Sequence, residues 1–260
     1  YFRNTPEIIL QGLETVREAV KQEGIPVSID AAAEYYIDDG FIRKLEEGIH
    51  KFRFLPPRVG ETSPFLVTFE HFFNVAPNKS VSFNCPREMA RQQCPVCMEV
   101  ARYEASGTPA DKALADDRRA RRYVWAVVLD RSDASMVPKM FRFGKTIHEK
   151  LLGIRTKHKI NFVDPMTGID IVIERTGKGK NDTEYTVMMD PDGKSPLAES
   201  EEQMIDVLTA APNMHETVGR VLSLEAINAK LLGEESQIGV RDAKAKQLPS
   251  GKTARDYTTR

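Results

Sequence analysis

At 260 residues, with 41% hydrophobic and 29% charged residues, the chain can bury a real core, as one embellished domain or two small ones. No apolar run reaches membrane-spanning length, nothing at the N-terminus resembles a secretory signal, and an odd count of three cysteines argues against a disulfide scaffold, so a reducing cytosolic setting is expected. The formal net charge of −1 conceals a polarity, because residues 118–180 hold 15 Lys/Arg against 6 Asp/Glu while residues 181–236 hold 3 against 12; either a surface for an anionic polymer lies beside an acidic segment, or two solvated faces intermix on folding.

Residues 6–22 place Ile8, Ile9, Leu10, Leu13, Val16 and Val20 at helical spacing between Pro6 and Gly24. Ser28 and Asp30 can cap a second short helix through Tyr36. From Phe41 the period becomes two, and Phe41–Leu45 with His50–Leu55 reads as a hairpin ended by Pro56-Pro57. Phe65–Phe73 and Val81–Phe83 are β-rich, and residues 104–121 are polar and partly helical in pattern. Tyr123–Leu129 is the clearest buried strand, Lys139–Phe143 alternates, and Gly144 leads into a helix to about Leu152. Lys159–Val163 and Ile169–Arg175 flank the turn Asp164-Pro165-Met166-Thr167-Gly168, which predicts a hairpin. Glu184–Met188 adds a strand, and after Asp190-Pro191-Asp192-Gly193 the pattern turns helical over 199–208 and 214–232. A mainly β chain with helical additions, and one helix between the third and fourth core strands, has the order of an OB-fold barrel. The boundaries expected are a helical N-terminal extension (1–40), an OB-fold core (41–195) with an embedded zinc subdomain at about 64–120, an acidic helical segment (196–236) and a basic tail (237–260).

His71, Cys85, Cys94 and Cys97 fall within 27 residues, and Cys94-Pro95-Val96-Cys97 is a C-x2-C knuckle. Three thiolates and one imidazole complete a tetrahedral zinc site with no position left for water, so one structural Zn2+ is expected rather than a catalytic one. A thioredoxin-like pair would open a helix in a βαβ unit and leave Cys85 unexplained. A zinc deaminase would need H-x-E and P-C-x-x-C, whereas Phe72-Phe73 follows His71 and Gln93 precedes Cys94. A histidine on a Phe-rich strand could also be a core residue, which makes His71 the least constrained of the four donors.

Arg118-Arg119-Ala120-Arg121-Arg122 runs into Tyr123 and Trp125, and strand alternation puts Tyr123, Trp125 and Val127 on one face. Phe141-Arg142-Phe143-Gly144-Lys145 repeats the interleaving, as does Arg155 through Lys159 leading to Phe162. Arginine and lysine pair phosphates while aromatic rings stack on bases of any identity, the combination that holds single strands. Arg118, Arg119, Arg121, Arg122, Arg142, Lys145, Lys157 and Lys159 are the candidate phosphate ligands. Tyr123, Trp125, Phe141, Phe143 and Tyr185 are the candidate stacking surfaces, although plain core packing is the competing reading for each ring and neighbours on a strand cannot all line one cleft.

Taken in order, these motifs resemble the single-stranded DNA-binding, or helix-destabilising, proteins of T-even-like bacteriophages. Arg53-Phe54-Leu55-Pro56, Pro64-Phe65 through His71, the C-P-x-C knuckle, the basic stretch before Val124-Trp125-Ala126, and Arg142-Phe143-Gly144-Lys145 with Ile147 carry the likeness, over about residues 52–190. The resemblance implies a zinc-stabilised subdomain beside an OB-fold, a positive cleft for single-stranded DNA that includes Arg53, and no hydrolytic chemistry. It also implies self-association along DNA, service to phage replication, recombination and repair alongside other proteins of those processes, no membrane partner, and residence in the cytoplasm of an infected bacterium. Residues 237–260 are basic where that family carries an acidic tail.

Two other functions compete. A zinc-dependent nucleic-acid enzyme needs a positioned carboxylate, and Glu70 is the nearby candidate, although it should face away from His71. A zinc-knuckle adaptor in a replication complex would use the helical ends for protein contacts.

Overall fold

The computed structural model describes residues 40–76, 79–179 and 182–232. The helices expected within residues 1–39 and the basic tail 237–260 lie outside these residues. The described chain is mainly β with several helices. Its strands are β1 (Phe41–Ile42), β2 (Gly48–Phe54), β3 (Leu66–Ala76), β4 (Lys79–Asn84), β5 (Arg121–Asp130), β6 (Lys139–Phe143), β7 (Ile169–Thr176) and β8 (Glu184–Lys194). The helices are α1 (Pro86–Ala90), α2 (Pro95–Ser106), α3 (Pro109–Arg118), α4 (Lys145–His158), α5 (Glu201–Ala210), α6 (Met214–Thr217) and α7 (Leu224–Leu232).

All eight strands join one sheet in the order β1-β6-β5-β2-β7-β8, with β3 branching from β5 and carrying β4. Strand β5 organises it. One edge pairs with β6, while the other pairs first with β3, through Arg121–Trp125, and then with β2, through Val128–Asp130. Among the described residues no pairing joins β8 back to β6 or β1, so the sheet is open along its recorded ladders and closure into a barrel is not shown.

The uninterrupted apolar run of β5 has a direct cause, since both of its faces are buried. Val124, Ala126 and Val128 enter a core with Phe52, Phe54, Phe141, Phe143, Ile171, Ile173 and α4 residues Ile147, Leu151 and Ile154. Trp125, Val127 and Leu129 enter a second core under α5 and α6, with Met204, Val207 and Met214. A third cluster joins Phe73, Val81 and Phe83 of the β3-β4 hairpin to Cys85, Cys94, Val96, Val100, Ala115 and Ile227. That cluster lies in the insertion between β2 and β5 and is closed by α7.

Local chemistry sets the helix ends. Cys94 and Thr108 precede Pro95 and Pro109, whose fixed φ suits a first helical turn, and Gly107 ends α2 in the left-handed region at φ 72°. Ser200 and Asn213 accept backbone hydrogen bonds at the starts of α5 and α6.

Several expected elements differ. Phe41–Ile42 forms no hairpin with β2; it pairs parallel to β6, where Phe41 meets Trp125 edge-on at 6.0 Å. Residues 104–121 are helical almost throughout, as α2 and α3. Lys159–Val163 is not a strand, because α4 runs on to His158, Lys159 adopts the left-handed conformation, and Phe162 and Val163 anchor a loop in the core. The Asp164 turn is present without its hairpin: Asp164 Oδ1 accepts from the amides of Met166 and Thr167 at 3.0 and 2.7 Å. Gly168 is required there, since a Cβ would lie 2.4 Å from the Asp164 carbonyl oxygen and 2.7 Å from Arg53 Nη2. β8 continues through Pro191, which an edge strand tolerates because no ladder donor is lost. The helix expected over 214–232 breaks at Gly219, where the amides of Val218 and Gly219 both return to the Met214 carbonyl.

Candidate metal centre and nucleic-acid interface

Four potential ligands converge from three elements. His71 lies on β3, Cys85 caps α1, Cys94 caps α2, and Cys97 sits one turn inside α2. Their donor atoms all lie within 4.8 Å of one another. Cys94 Sγ and Cys97 Sγ are 3.4 and 3.5 Å from His71 Nε2, and Cys85 Sγ is 3.3 Å from Cys97 Sγ. The Arg118 carbonyl lies 2.7 Å from His71 Nδ1. A carbonyl only accepts, so Nδ1 carries the hydrogen and the Nε2 lone pair faces the sulfurs, the orientation a metal-ligating imidazole needs.

Charge follows from the same packing. The Cys94 thiol, hydrogen-bonded to Cys85, pulls the Cys85 thiol down to about 3. Burial first, then the Cys85 thiolate, pushes Cys97 up to about 11, and the bond to Cys85 followed by burial raises Cys94. Buried thiols this close gain one negative charge easily and the next ones with difficulty unless a cation arrives. Three sulfurs, one nitrogen, no carboxylate in the quartet and near-complete burial fit a four-coordinate soft or borderline ion such as zinc.

Glu70 faces the other way. Its Oε1 accepts from Thr68 Oγ1 at 3.0 Å and Trp125 Nε1 at 3.3 Å, and its Oε2 is 3.3 Å from Arg142 Nη1. The carboxylate is thus committed on the face of β3 opposite His71 and cannot serve chemistry at the metal cluster.

The candidate DNA ligands divide sharply. Arg53 is corrected to a structural residue: it is fully buried, ion-paired with Asp170 at 3.3 Å, and donates to the carbonyls of Asp164 and Ser195 at 2.9 and 2.7 Å. Burial pulls its guanidinium pKa down while Asp170 opposes that shift. Trp125, Phe141 and Phe143 are packed in the cores and not presented for stacking. Arg118 pairs with Glu99 and lies over the rings of Phe73 and Tyr103, and Arg119 pairs with Glu104 at 2.7 Å.

Arg121 and Arg122 differ from these. Arg121 is exposed and Arg122 half-buried, and among the described residues neither forms an ion pair. Being adjacent in β5, they project from opposite faces. On one face Arg122 approaches His148 Nδ1 at 3.4 Å, and His148 meets Phe65 edge-on at 5.1 Å. On the other, Arg121 flanks half-buried Tyr123, whose ring lies 4.5 Å from the Arg142 guanidinium. Lys145 opens α4 in an i,i+4 pair with Glu149, while Lys157 and Lys159 are exposed at its far end, about 20 Å away at helical rise. Tyr185 is half-buried beside the first core and its carbonyl accepts from Lys150. The fold therefore gathers Arg121, Tyr123 and Arg142 on one face of β5, sets Arg122 with His148 and Phe65 on the other, and leaves Lys157, Lys159 and Tyr185 apart from both. His148 and Phe65, which complete this region, have no sequence signal beyond their nearness to the basic and aromatic motifs.

A protein-family model described as gp32 DNA binding protein like matches residues 46–230. No curated protein matches the chain at a significant level. The matched span is well over half of the 260 residues, and the chain belongs to this family of DNA-binding proteins.

Proposed function

We propose that this gp32-like chain binds single-stranded DNA without sequence preference and coats it during phage DNA replication, recombination and repair. The observation that carries the reading is the start of β5, where Arg121 and Arg122 lack carboxylate partners among the described residues, and Arg121 shares its face with a half-buried Tyr123 backed by Arg142. Cations without carboxylate partners beside a ring offered to bases suit a single strand, since bases in a duplex are already stacked and paired. The order β2, β5, β6, α4, β7, β8 supports an OB-type architecture, with the cysteine-bearing unit inserted between its first and second strands.

In this reading His71, Cys85, Cys94 and Cys97 hold one zinc ion, which when bound supplies a structural clamp. The chain's own residues do the rest: the Arg118 carbonyl orients His71, and α2 and α3 fix where the chain enters β5. Self-association along the strand, contacts with other replication proteins and residence in the host cytoplasm belong to the same reading. Among the described residues no helix is long and apolar enough to cross a membrane.

The test is affinity for a single strand and for its duplex across a salt series, with zinc quantified in the same preparation. We expect single-strand preference, and a log-log salt slope of about −0.7 for each phosphate contacted. Equal affinity for both forms at every salt concentration would remove the proposal.

A further inference from the structure

Glu70 stands where the two parts of the candidate site meet. Strand alternation sends His71 to the cysteines and Glu70 to the face shared by Tyr123, Trp125 and Arg142. Its residue is only 8% exposed, and both carboxylate oxygens are engaged, by Thr68 and Trp125 on one side and Arg142 on the other. The Arg142 side chain is itself 22% exposed, its Nε is buried without a partner, and its guanidinium lies 4.5 Å from the Tyr123 ring centre and 5.8 Å from that of Trp125.

These distances bear on what Arg142 can do. An ion pair this shielded is costly to separate, because the group left behind would be a charge with little water around it. A phosphate that recruited Arg142 would have to strand Glu70 beside an indole N–H and a hydroxyl. A guanidinium lying over a phenol ring, by contrast, is favourable where it is and fixes the ring before any ligand arrives.

We propose that Glu70 is a positioning residue for single-strand binding: it neutralises Arg142 and keeps its guanidinium over Tyr123, so that Arg142 backs a stacking platform and takes no phosphate. The assignment rests on the single-strand reading above. One face of Tyr123 is covered by Arg142, which leaves at most the other for a base, and phosphate pairing beside the ring falls to Arg121, with Arg122 available on the opposite face of β5. The arginine that sequence pattern groups with the phosphate ligands thus has a different task, set by a carboxylate 72 residues away in the chain.

Salt dependence separates the two roles, since each phosphate contacted on a single strand adds about 0.7 to the slope. Binding of an oligothymidylate is measured for the wild type, Glu70→Gln and the double variant Glu70→Gln/Arg142→Gln, with zinc content and thermal melting followed for each. Glu70→Gln frees one cation, and its slope should steepen by about 0.7 while zinc is retained. The double variant, which leaves no unpaired buried charge, should return to the wild-type slope and bind several-fold more weakly because Tyr123 has lost its backing. A loss of folding alone would not steepen a slope. A Glu70→Gln slope equal to or shallower than the wild type overturns the assignment, as does a double variant shallower than the wild type by about 0.7. If Glu70→Gln fails to fold, the double variant still decides. A wild-type protein without single-strand preference or salt dependence would sink the underlying reading and this assignment together, whereas a normal wild type with the wrong variant slopes sinks only the assignment.

Discussion

Four arginines lie at the junction of α3 and β5, and the two sides of that junction use them in opposite ways. Arg118 and Arg119 end a helix packed against α2, whose Glu99 and Glu104 neutralise them, while the Arg118 carbonyl fixes the His71 ring. Arg121 and Arg122 begin a strand, point to opposite faces and meet no carboxylate among the described residues. The difference teaches that a run of like charges does not define a binding surface by its count. An acidic helix lying alongside converts half of this run into scaffold, and only the strand half keeps charge to offer.

The largest effect should come from the scaffold side. Cys94→Ser removes one of four convergent donors, and loss of the metal should destabilise the subdomain by about 4–5 kcal/mol or more, read as lost zinc and a lowered melting transition. If zinc content and melting were unchanged, the quartet would not be a metal site, and the contrast between a clamped scaffold and an open strand would break.

Next in size is Arg53→Met, which removes a buried guanidinium from Asp170, Asp164 and Ser195. We expect a loss of about 3 kcal/mol in denaturant unfolding, tempered because Arg131 still pairs with Asp170 at 2.9 Å. The salt slope of DNA binding by the folded fraction should not change. A shallower slope would return Arg53 to the interface.

The junction itself is tested by matched substitutions. Arg121→Ala and Arg122→Ala should each weaken binding and flatten the salt slope by about 0.7, with zinc retained. Arg119→Ala should shift stability by no more than about 0.5 kcal/mol and leave the slope as it is. Equal flattening by all three would erase the distinction between the two sides.

The smallest expected effect concerns His148. Burial, followed by the nearby Arg122 charge, lowers its pKa below the ordinary 6.5. In the window between the lowered folded value and 6.5 the unfolded chain binds more protons than the folded one, so stability rises with pH there and the full contribution is present above 6.5. His148→Gln should flatten the melting-temperature profile below that pH. Well above pH 6.5 it should leave the profile unchanged, since His148 is uncharged in both states there.

The sequence was most legible where chemistry needs several rare residue types at fixed spacing. Cys94-Pro95-Val96-Cys97 with Cys85 and His71 marked a cluster able to hold a metal ion, because few other arrangements use three cysteines and a histidine so closely spaced. Strand β5 was legible because its short apolar run is rich in β-branched and aromatic residues, which favours a strand buried on both faces over a helix. The β1 pairing was not, since Phe41–Ile42 is too short for its own periodicity to name a partner, and its parallel contact with β6 is fixed by packing on Trp125. Lys159–Val163 was misread because apolar residues anchoring a loop carry the same alternation as a strand.

By itself the sequence determined the closely spaced Cys/His quartet, the buried central strand and the concentration of positive charge before Tyr123, because each follows from local residue chemistry. Tertiary structure alone decided which arginines lack a carboxylate partner among the described residues. Arg53 was consumed by Asp170, Arg118 and Arg119 by α2, and Arg142 by Glu70, over sequence separations that no local pattern records. The physical reason is that a charge is defined by its nearest neighbours in space, and in a folded sheet those neighbours come from strands and helices far away in the chain.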